Sequence, residues 1–382
     1  MKRRRYVIGI LLCVTVLLQA QDSVKSFDEF FVAGMDKIDG VFPVYVAEKE
    51  IYLEIPEKYI GREIEVSGQI DRGFDLLNRP VDGLGVVRII SPDKATICFQ
   101  KPFYTERILD EKSTYQQSFS LSNMQPAGKS YPVVAYSKEQ GAIIRITEYL
   151  MTGDDWFSYN DSFIRSLVPE LSEIMKIHPF KEGVSFTVRR YHGVEAERYM
   201  LSSSAIILPE GSMPLEVTCA VRLLPLKKDQ IRLADYRIPY RTLSFKDYSQ
   251  NPYCMVEDSL ILRWDMSQQL TFYVDTLFPK EYFQAVKEGV EAWNTAFHKA
   301  GIHDALQVRY ADRKIIPAEQ RAFISYDLRI PGIKSDFICH PRTGEILSCR
   351  LNIGHGFLKG KLDDYLLSCG ASDSKKNFCK MK

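Results

Sequence analysis

Leu270-Thr271-Phe272-Tyr273-Val274-Asp275 is followed, from Pro279 onward, by Phe283, Val286, Val290, Trp293 and Phe297 at steps of three and four. The first six residues, rich in aromatic and branched side chains, read as a strand. The second pattern is that of an amphipathic helix, because a period near 3.6 gathers those five side chains on one face. Pro279 near its start and Gly301 just past Ala300 mark its ends by the asymmetry that helices favour. Runs at 306–310 and 323–327 read as further strands. A strand, a long helix and more strands make an α/β unit whose helix lays its stripe, Trp293 included, on a sheet.

Working back from this unit, the pattern changes to period two. Ile51-Tyr52-Leu53-Glu54-Ile55 alternates as a half-buried strand should, and Pro56 stops it. Comparable runs lie at 42–46, 64–70, 85–90, 96–100, 131–136 and 142–147. Gly61, Asn78-Arg79-Pro80, Asp82-Gly83, Pro92-Asp93 and Pro126-Ala127-Gly128 punctuate them as turns. Further strands are expected over 184–190 and 198–208, and Val217, Cys219, Val221 and Leu223 alternate with Thr218, Ala220 and Arg222. Pro209-Glu210-Gly211-Ser212 supplies turn residues between two of them. A helix is expected in this half only over 161–175, with Pro169 inside it. The expected fold class is therefore α+β: a β-rich antiparallel half over 28–250, an α/β unit over 260–358, and a polar tail without a packing face over 359–382.

The N-terminus carries an address. Lys2-Arg3-Arg4-Arg5, the apolar stretch 6–18 and Gln19-Ala20-Gln21 have the order of a secretory signal, so residues 1–21 are expected to direct export to the periplasm, cell surface or exterior. The apolar run is short for a bilayer, and no membrane span is expected once the signal is removed. With 50 Lys and Arg against 49 Asp and Glu, the chain has no global field to gather nucleic acid. Cys98, Cys219, Cys254, Cys339, Cys349, Cys369 and Cys379 are scattered and form no C-x-x-C, which fits buried or incidental thiols better than a cluster.

Four motifs stand in a fixed order in the C-terminal unit. They are Arg263-Trp264-Asp265, Phe272-Tyr273-Val274-Asp275, Gly289-Val290-Glu291-Ala292-Trp293-Asn294 with Ala296-Phe297 and Ala300-Gly301, and Pro341-Arg342-Thr343-Gly344-Glu345-Ile346-Leu347. Together they resemble a family of large secreted bacterial zinc-dependent metalloproteases of metzincin type. The family's uncharacterised N-terminal half is similar to Gly40-Val41-Phe42-Pro43-Val44-Tyr45, Tyr52-Leu53-Glu54-Ile55-Pro56 and Gly61-Arg62. With gaps, the resemblance covers most of residues 28–358.

The resemblance implies an active-site helix after the 341–345 turn, bearing His-Glu-x-x-His, with a third His and a methionine turn beyond it. Two His one helical turn apart reach one Zn²⁺, and the Glu takes a proton from the bound water. Residues 1–382 contain no His-Glu-x-x-His, and His340 stands where the family usually has Asp. A substitute site is not expected. A four-residue turn at 341–344 sets Cys339 opposite Ile346 and Cys349 opposite Asp336, on different rungs. His298 and His303 lie five apart across a helix end, and His340 and His355 read as surface or packing residues.

Other constellations are weaker still. Gly354-His355-Gly356 and Gly83-Leu84-Gly85 lack the strand-glycine-helix order of a phosphate loop. Asp154-Asp155 and Asp363-Asp364 read as solvated acids, and Ser202-Ser203-Ser204 has no nucleophile elbow. Tyr236, Tyr240, Phe245 and Tyr248 suit a sheet face better than a ligand groove. The expectation is a truncated or degenerate protease relative without catalytic, metal or cofactor-binding residues of its own, zinc belonging to the family it resembles. The alternative is an exported binding module that retains recognition of a protein or peptide.

Overall fold

A computed structural model describes residues 24–73, 85–110, 112–152, 166–194, 198–201, 204–207, 211–226, 231–251, 253–311, 321–328 and 332–368. The expected signal at 1–21, the expected turns at 78–80 and 82–83, Asp154-Asp155, Ser202-Ser203, Pro209-Glu210 and residues 369–382 lie outside them. The fold is α+β and dominated by strands. In the N-terminal half these are β1 (Met35–Ile38), β2 (Val44–Ala47), β3 (Glu50–Ile55), β4 (Glu63–Arg72), β5 (Gly85–Asp93), β6 (Thr96–Gln100), β7 (Glu106–Arg107), β8 (Lys129–Tyr136) and β9 (Ala142–Arg145). They continue with β10 (Ser166–Leu167), β11 (Glu173–Phe180), β12 (Gly183–Val194), β13 (Arg198–Leu201), β14 (Ser204–Ile207) and β15 (Gly211–Leu223). Helices here are short: α1 (Phe27–Phe30), α2 (Gln116–Ser122) and α3 (Thr147–Thr152).

One antiparallel sheet runs β1-β2-β3-β9-β8-β6-β5-β4-β15-β12-β10, with β11 also paired to β12. It curls into a near-barrel because one side chain in two points inward around the whole path. Val44, Leu53, Ile55, Ile64, Ile89, Ile97, Ile144, Val184, Val188 and Val221 are all completely buried in a single interior cluster. The opposite pleat face of β2, β8 and β9 is covered separately, where Phe30 of α1 packs on Tyr45, Ala135 and Ile143. The helix expected over 161–175 is not formed in its described part. From Glu173 the chain is β11, with Ile174 opposite Val188 and Ile177 opposite Phe186, because both isoleucines are drawn onto the barrel core.

A hairpin of β16 (Thr242–Asp247) and β17 (Val256–Ile261) spans the stretch around 250–260, and β7 joins it in parallel. The α/β unit then contains β18 (Leu270–Val274), α4 (Lys280–Glu291), α5 (Asn294–Lys299), β19 (Leu306–Tyr310), β20 (Ala322–Asp327), β21 (Ile333–Cys339), β22 (Ile346–Gly354) and α6 (His355–Ser368). Its sheet order is β19-β18-β20-β22-β21, all parallel except β21. Phe283, Val286 and Val290 of α4 pack on Val274, Val308 and Ile324, as the stripe requires.

Trp293 does not follow its stripe. The expected long helix is broken between Glu291 and Asn294, and Trp293 is 63% exposed. The break is held by Asn294, whose side chain brackets β19 by accepting from Leu306 N at 2.8 Å and donating to Leu306 O at 2.9 Å. The polar tail expected from 359 is instead helical through Ser368, as part of α6. Lys359 pairs with Asp363 at 3.1 Å and Lys361 with Asp364 at 3.2 Å on its solvated face. Among the described residues, no helix is long and apolar enough to cross a membrane.

Candidate functional site

The turn after β21 is the most family-like piece of sequence, and the structure sets it into the side of the barrel. His340 N donates to Glu345 O at 2.7 Å and Gly344 N to His340 O at 2.9 Å, closing the four-residue loop 341–344. Gly344 has φ +75° and lies so close to β17 that a Cβ would stand 2.5 Å from the carbonyl oxygen of Ile261, so a side chain is excluded on both counts. Arg263 N donates to Gly344 O, and Ile346 N to Arg263 O, which ties the turn to the start of the α/β unit.

Glu63, the first residue of β4, faces this turn. Its carboxylate accepts from Arg88 Nη2 at 2.8 Å and from the Tyr104 hydroxyl at 2.6 Å. His340 Nε2 lies 3.1 Å away and Arg342 Nη2 3.7 Å away. Burial alone would raise the Glu63 pKa, but the bonds from His340, Tyr104 and Arg88 outweigh it and hold the group well below the usual carboxylate range. Tyr104 is pushed the other way, up to about 12, by burial and by the bond it gives to Glu63.

Two neighbouring contacts repeat the design. Glu65, 1% exposed, accepts from Arg222 Nη1 at 3.0 Å and from Ser348 Oγ of β22 at 2.8 Å. Arg107 reaches the turn backbone, donating to Pro341 O at 3.1 Å and Arg342 O at 3.0 Å, with its guanidinium 4.2 Å from the centre of the Phe245 ring. Barrel and α/β unit are thus joined by charged side chains bonded across the seam, beside an apolar contact of Val86 and Leu224 with Leu347 and Ile338.

Beside this junction lies a cleft of about 760 Å³ walled by Arg62, Glu63, Arg88, Arg263, His340 and Arg342. Arg62 donates to Leu224 O at 2.6 Å, and Arg342 keeps two fifths of its side chain in solvent. Guanidinium forks at the wall of a cleft recognise carboxylate or phosphate oxygens in pairs, whereas Glu63 is already committed to its own partners. The cleft can therefore take an anionic group, and Asp265, Ser267, His340 and Thr343 also stand on its wall.

Cys339 stands opposite Ile346, as expected, but Cys349 faces Phe337 instead of Asp336, because a bulge between Ile338 and Cys339 shifts the ladder by one. Burial, with Cys349 nearby, pushes the Cys339 thiol up to about 12, away from the thiolate a metal needs. His340 is engaged by Glu63, and His355 Nδ1 lies 2.5 Å from the Tyr326 hydroxyl. His298 and His303 come closer than their spacing suggests, edge to face at 4.5 Å, on the surface. Among the described residues, no three His, Cys, Asp or Glu side chains are placed to hold a metal ion, so they do not fit the zinc that the resemblance implies.

Sequence reading missed the residues that hold the 340–345 turn. Glu63, Arg88, Tyr104 and Arg107 lie over two hundred residues away in the chain, and nothing in their local pattern marks them. The one signal was His340 itself, a basic residue standing where the resembled family has an acid. Of the aromatic set, Phe245 is buried beneath Arg107 and Tyr248 packs against Phe119, while Tyr236 and Tyr240 are exposed.

The family described as Domain of unknown function (DUF5118) matches residues 24–73, and that described as Domain of unknown function (DUF5117) matches residues 85–269. The border between them falls between β4 and β5, which are hydrogen-bonded neighbours, so the two matches share one barrel. No curated protein and no solved structure matches the chain.

Proposed function

We propose that this chain is an exported, non-hydrolytic relative of the metzincin-type zinc metalloproteases, and that its retained role is recognition of a protein or peptide ligand. The observation that carries the reading is the clamped 341–344 turn. The motif that in the resembled family precedes the zinc helix is bonded to Glu63 of the barrel and to Arg107 of the sheet of β7, β16 and β17, and it forms one wall of the arginine-lined cleft. After that turn comes α6. It begins with His355 and carries no second His through Ser368. In this reading a ligand carboxylate, at a peptide C-terminus or an acidic side chain, lies against Arg62 and Arg342.

The purified protein is expected to bind zinc well below one equivalent by elemental analysis and to leave casein and gelatin intact. An acidic peptide is expected to bind, with affinity falling when Arg62→Ala and Arg342→Ala are combined. Chelator-sensitive proteolysis in a clean preparation would overturn the first half of the proposal, and unchanged peptide affinity in the double variant the second.

A further inference from the structure

The barrel is complete except along one line. Among the described residues β1 pairs with β2 alone and β11 with β12 alone, so two strand edges face each other across a cleft of about 640 Å³. The edges meet at one end, where a Cβ on Gly40 would stand 3.3 Å from that of Pro179. From there the cleft follows β1 and the first half of β11. Strand edges present backbone donors and acceptors that a further strand can satisfy.

Two properties say what such a strand would be. Ile38, Val46, Met151, Leu171, Met175 and Ile177 make the lining apolar, and Leu171 and Met175 remain 50% and 44% exposed. Met175 is the residue that a bulge between Ile174 and Lys176 leaves out of the ladder, a device that turns a side chain toward a new direction. Methionine there offers a surface that adapts to different partners. The rim is acidic: Asp36, Glu48, Glu170 and Glu173 stand against Lys49 and Lys176, and the Arg189 bonded to Glu173 at 2.9 Å still leaves an excess of negative charge.

We propose that this seam is a slot for an extended segment of a protein partner, apolar at alternate positions and basic between them, which adds as a strand along β1 and β11. Four residues of β1 give the slot a length of about 13 Å at roughly 3.3 Å per residue. None of its lining residues belongs to the junction cleft, so the two sites stand or fall separately.

The test is anisotropy of a labelled hexapeptide of alternating lysine and valine, set against the same peptide with glutamate in place of lysine. The lysine peptide is expected to bind about tenfold or more tightly than its acidic counterpart. It should also slow amide exchange at 35–38 and 173–177. Asp36→Lys with Glu170→Lys, both exposed positions, should weaken it about tenfold while circular dichroism stays unchanged. Absence of binding, equal binding of both peptides, insensitivity to the charge reversal, or protection elsewhere overturns the proposal. Protection of the same edges in a peptide-free dimer, detected by sedimentation, also overturns it by making a second copy the occupant.

Discussion

The barrel and the α/β unit solve the same problem differently. The barrel draws its interior from strands all around the ring, and its fully buried cluster runs from Phe42 to Val221. The α/β unit has a fully buried cluster of Val274, Phe278, Val308 and Ile324 under one helix. What it lacks in apolar burial it meets with ionic and hydrogen-bonded contacts to its neighbour, through Glu63, Glu65 and Arg107. An α/β unit with a small core of its own can therefore depend on the unit beside it for its stability, and the contacts that give that stability are the ones most sensitive to single changes.

The largest expected effect comes from cutting that dependence. Arg107→Ala removes the guanidinium that donates to the carbonyls of Pro341 and Arg342, and each hydrogen bond to a charged group typically contributes about 1.5–3 kcal/mol. Exchange measured by mass spectrometry should speed up in 270–368 far more than in 42–221. Equal acceleration in both would show that the two units unfold as one body and would erase the contrast.

Acid sharpens the comparison at intermediate magnitude. His192 of β12 is buried, its Nε2 has no hydrogen-bond partner among the described residues, and desolvation, with Arg190 adding repulsion, lowers its pKa from 6.5 to about 4. The unfolded chain binds this proton more readily than the barrel does. Its contribution is therefore complete above pH 6.5 and disappears as pH falls toward 4, a change on the order of 3 kcal/mol for a shift of this size. Glu63 acts in the same direction but later. Its depressed folded pKa contributes stability above the ordinary value of 4.5 that is lost as pH falls toward the lower folded value. Urea titrations from pH 7 to 4 should show a steep loss that His192→Leu flattens. A parallel slope in that variant would remove the imidazole from the account.

Trp293→Ala should do least. A side chain 63% exposed at a helix break contributes within about 0.5 kcal/mol, as other surface positions do. A loss of several kcal/mol on denaturation would place the indole in a core after all and would make the C-terminal unit better packed than its contacts indicate.

The strands were legible because alternation is local. Ile51, Leu53 and Ile55 name the interior face, and Val217, Cys219 and Val221 do the same, although Glu54, Thr218 and Ala220 on the other face are buried as well. The α4 stripe was legible up to Val290 and then misleading. Periodicity continues through Trp293 and Phe297 in the sequence, but the hydrogen bonds of Asn294 to Leu306 turn the chain and take the indole off the sheet. Residues 161–175 misled because the end of the expected helix falls in a bulged strand, with Met175 as the residue outside the ladder. Of the candidate site only the turn was readable. Its partners Glu63, Arg88 and Arg107 are brought to it by sheet pairing across long loops, which a local pattern does not encode.

The cut between β1 and β11 has a mechanical consequence. A fully closed ring of strands has a fixed circumference, since widening it anywhere means breaking a ladder or changing its stagger. Among the described residues this ring touches at Gly40 and Pro179 and has no ladder between β1 and β11 beyond them, so it can spread like a split collar while its existing strand ladders stay intact. The interior side chains nearest the cut, Ile38 and Ile177, would then be the first to meet water, and the isoleucines on the opposite wall the last.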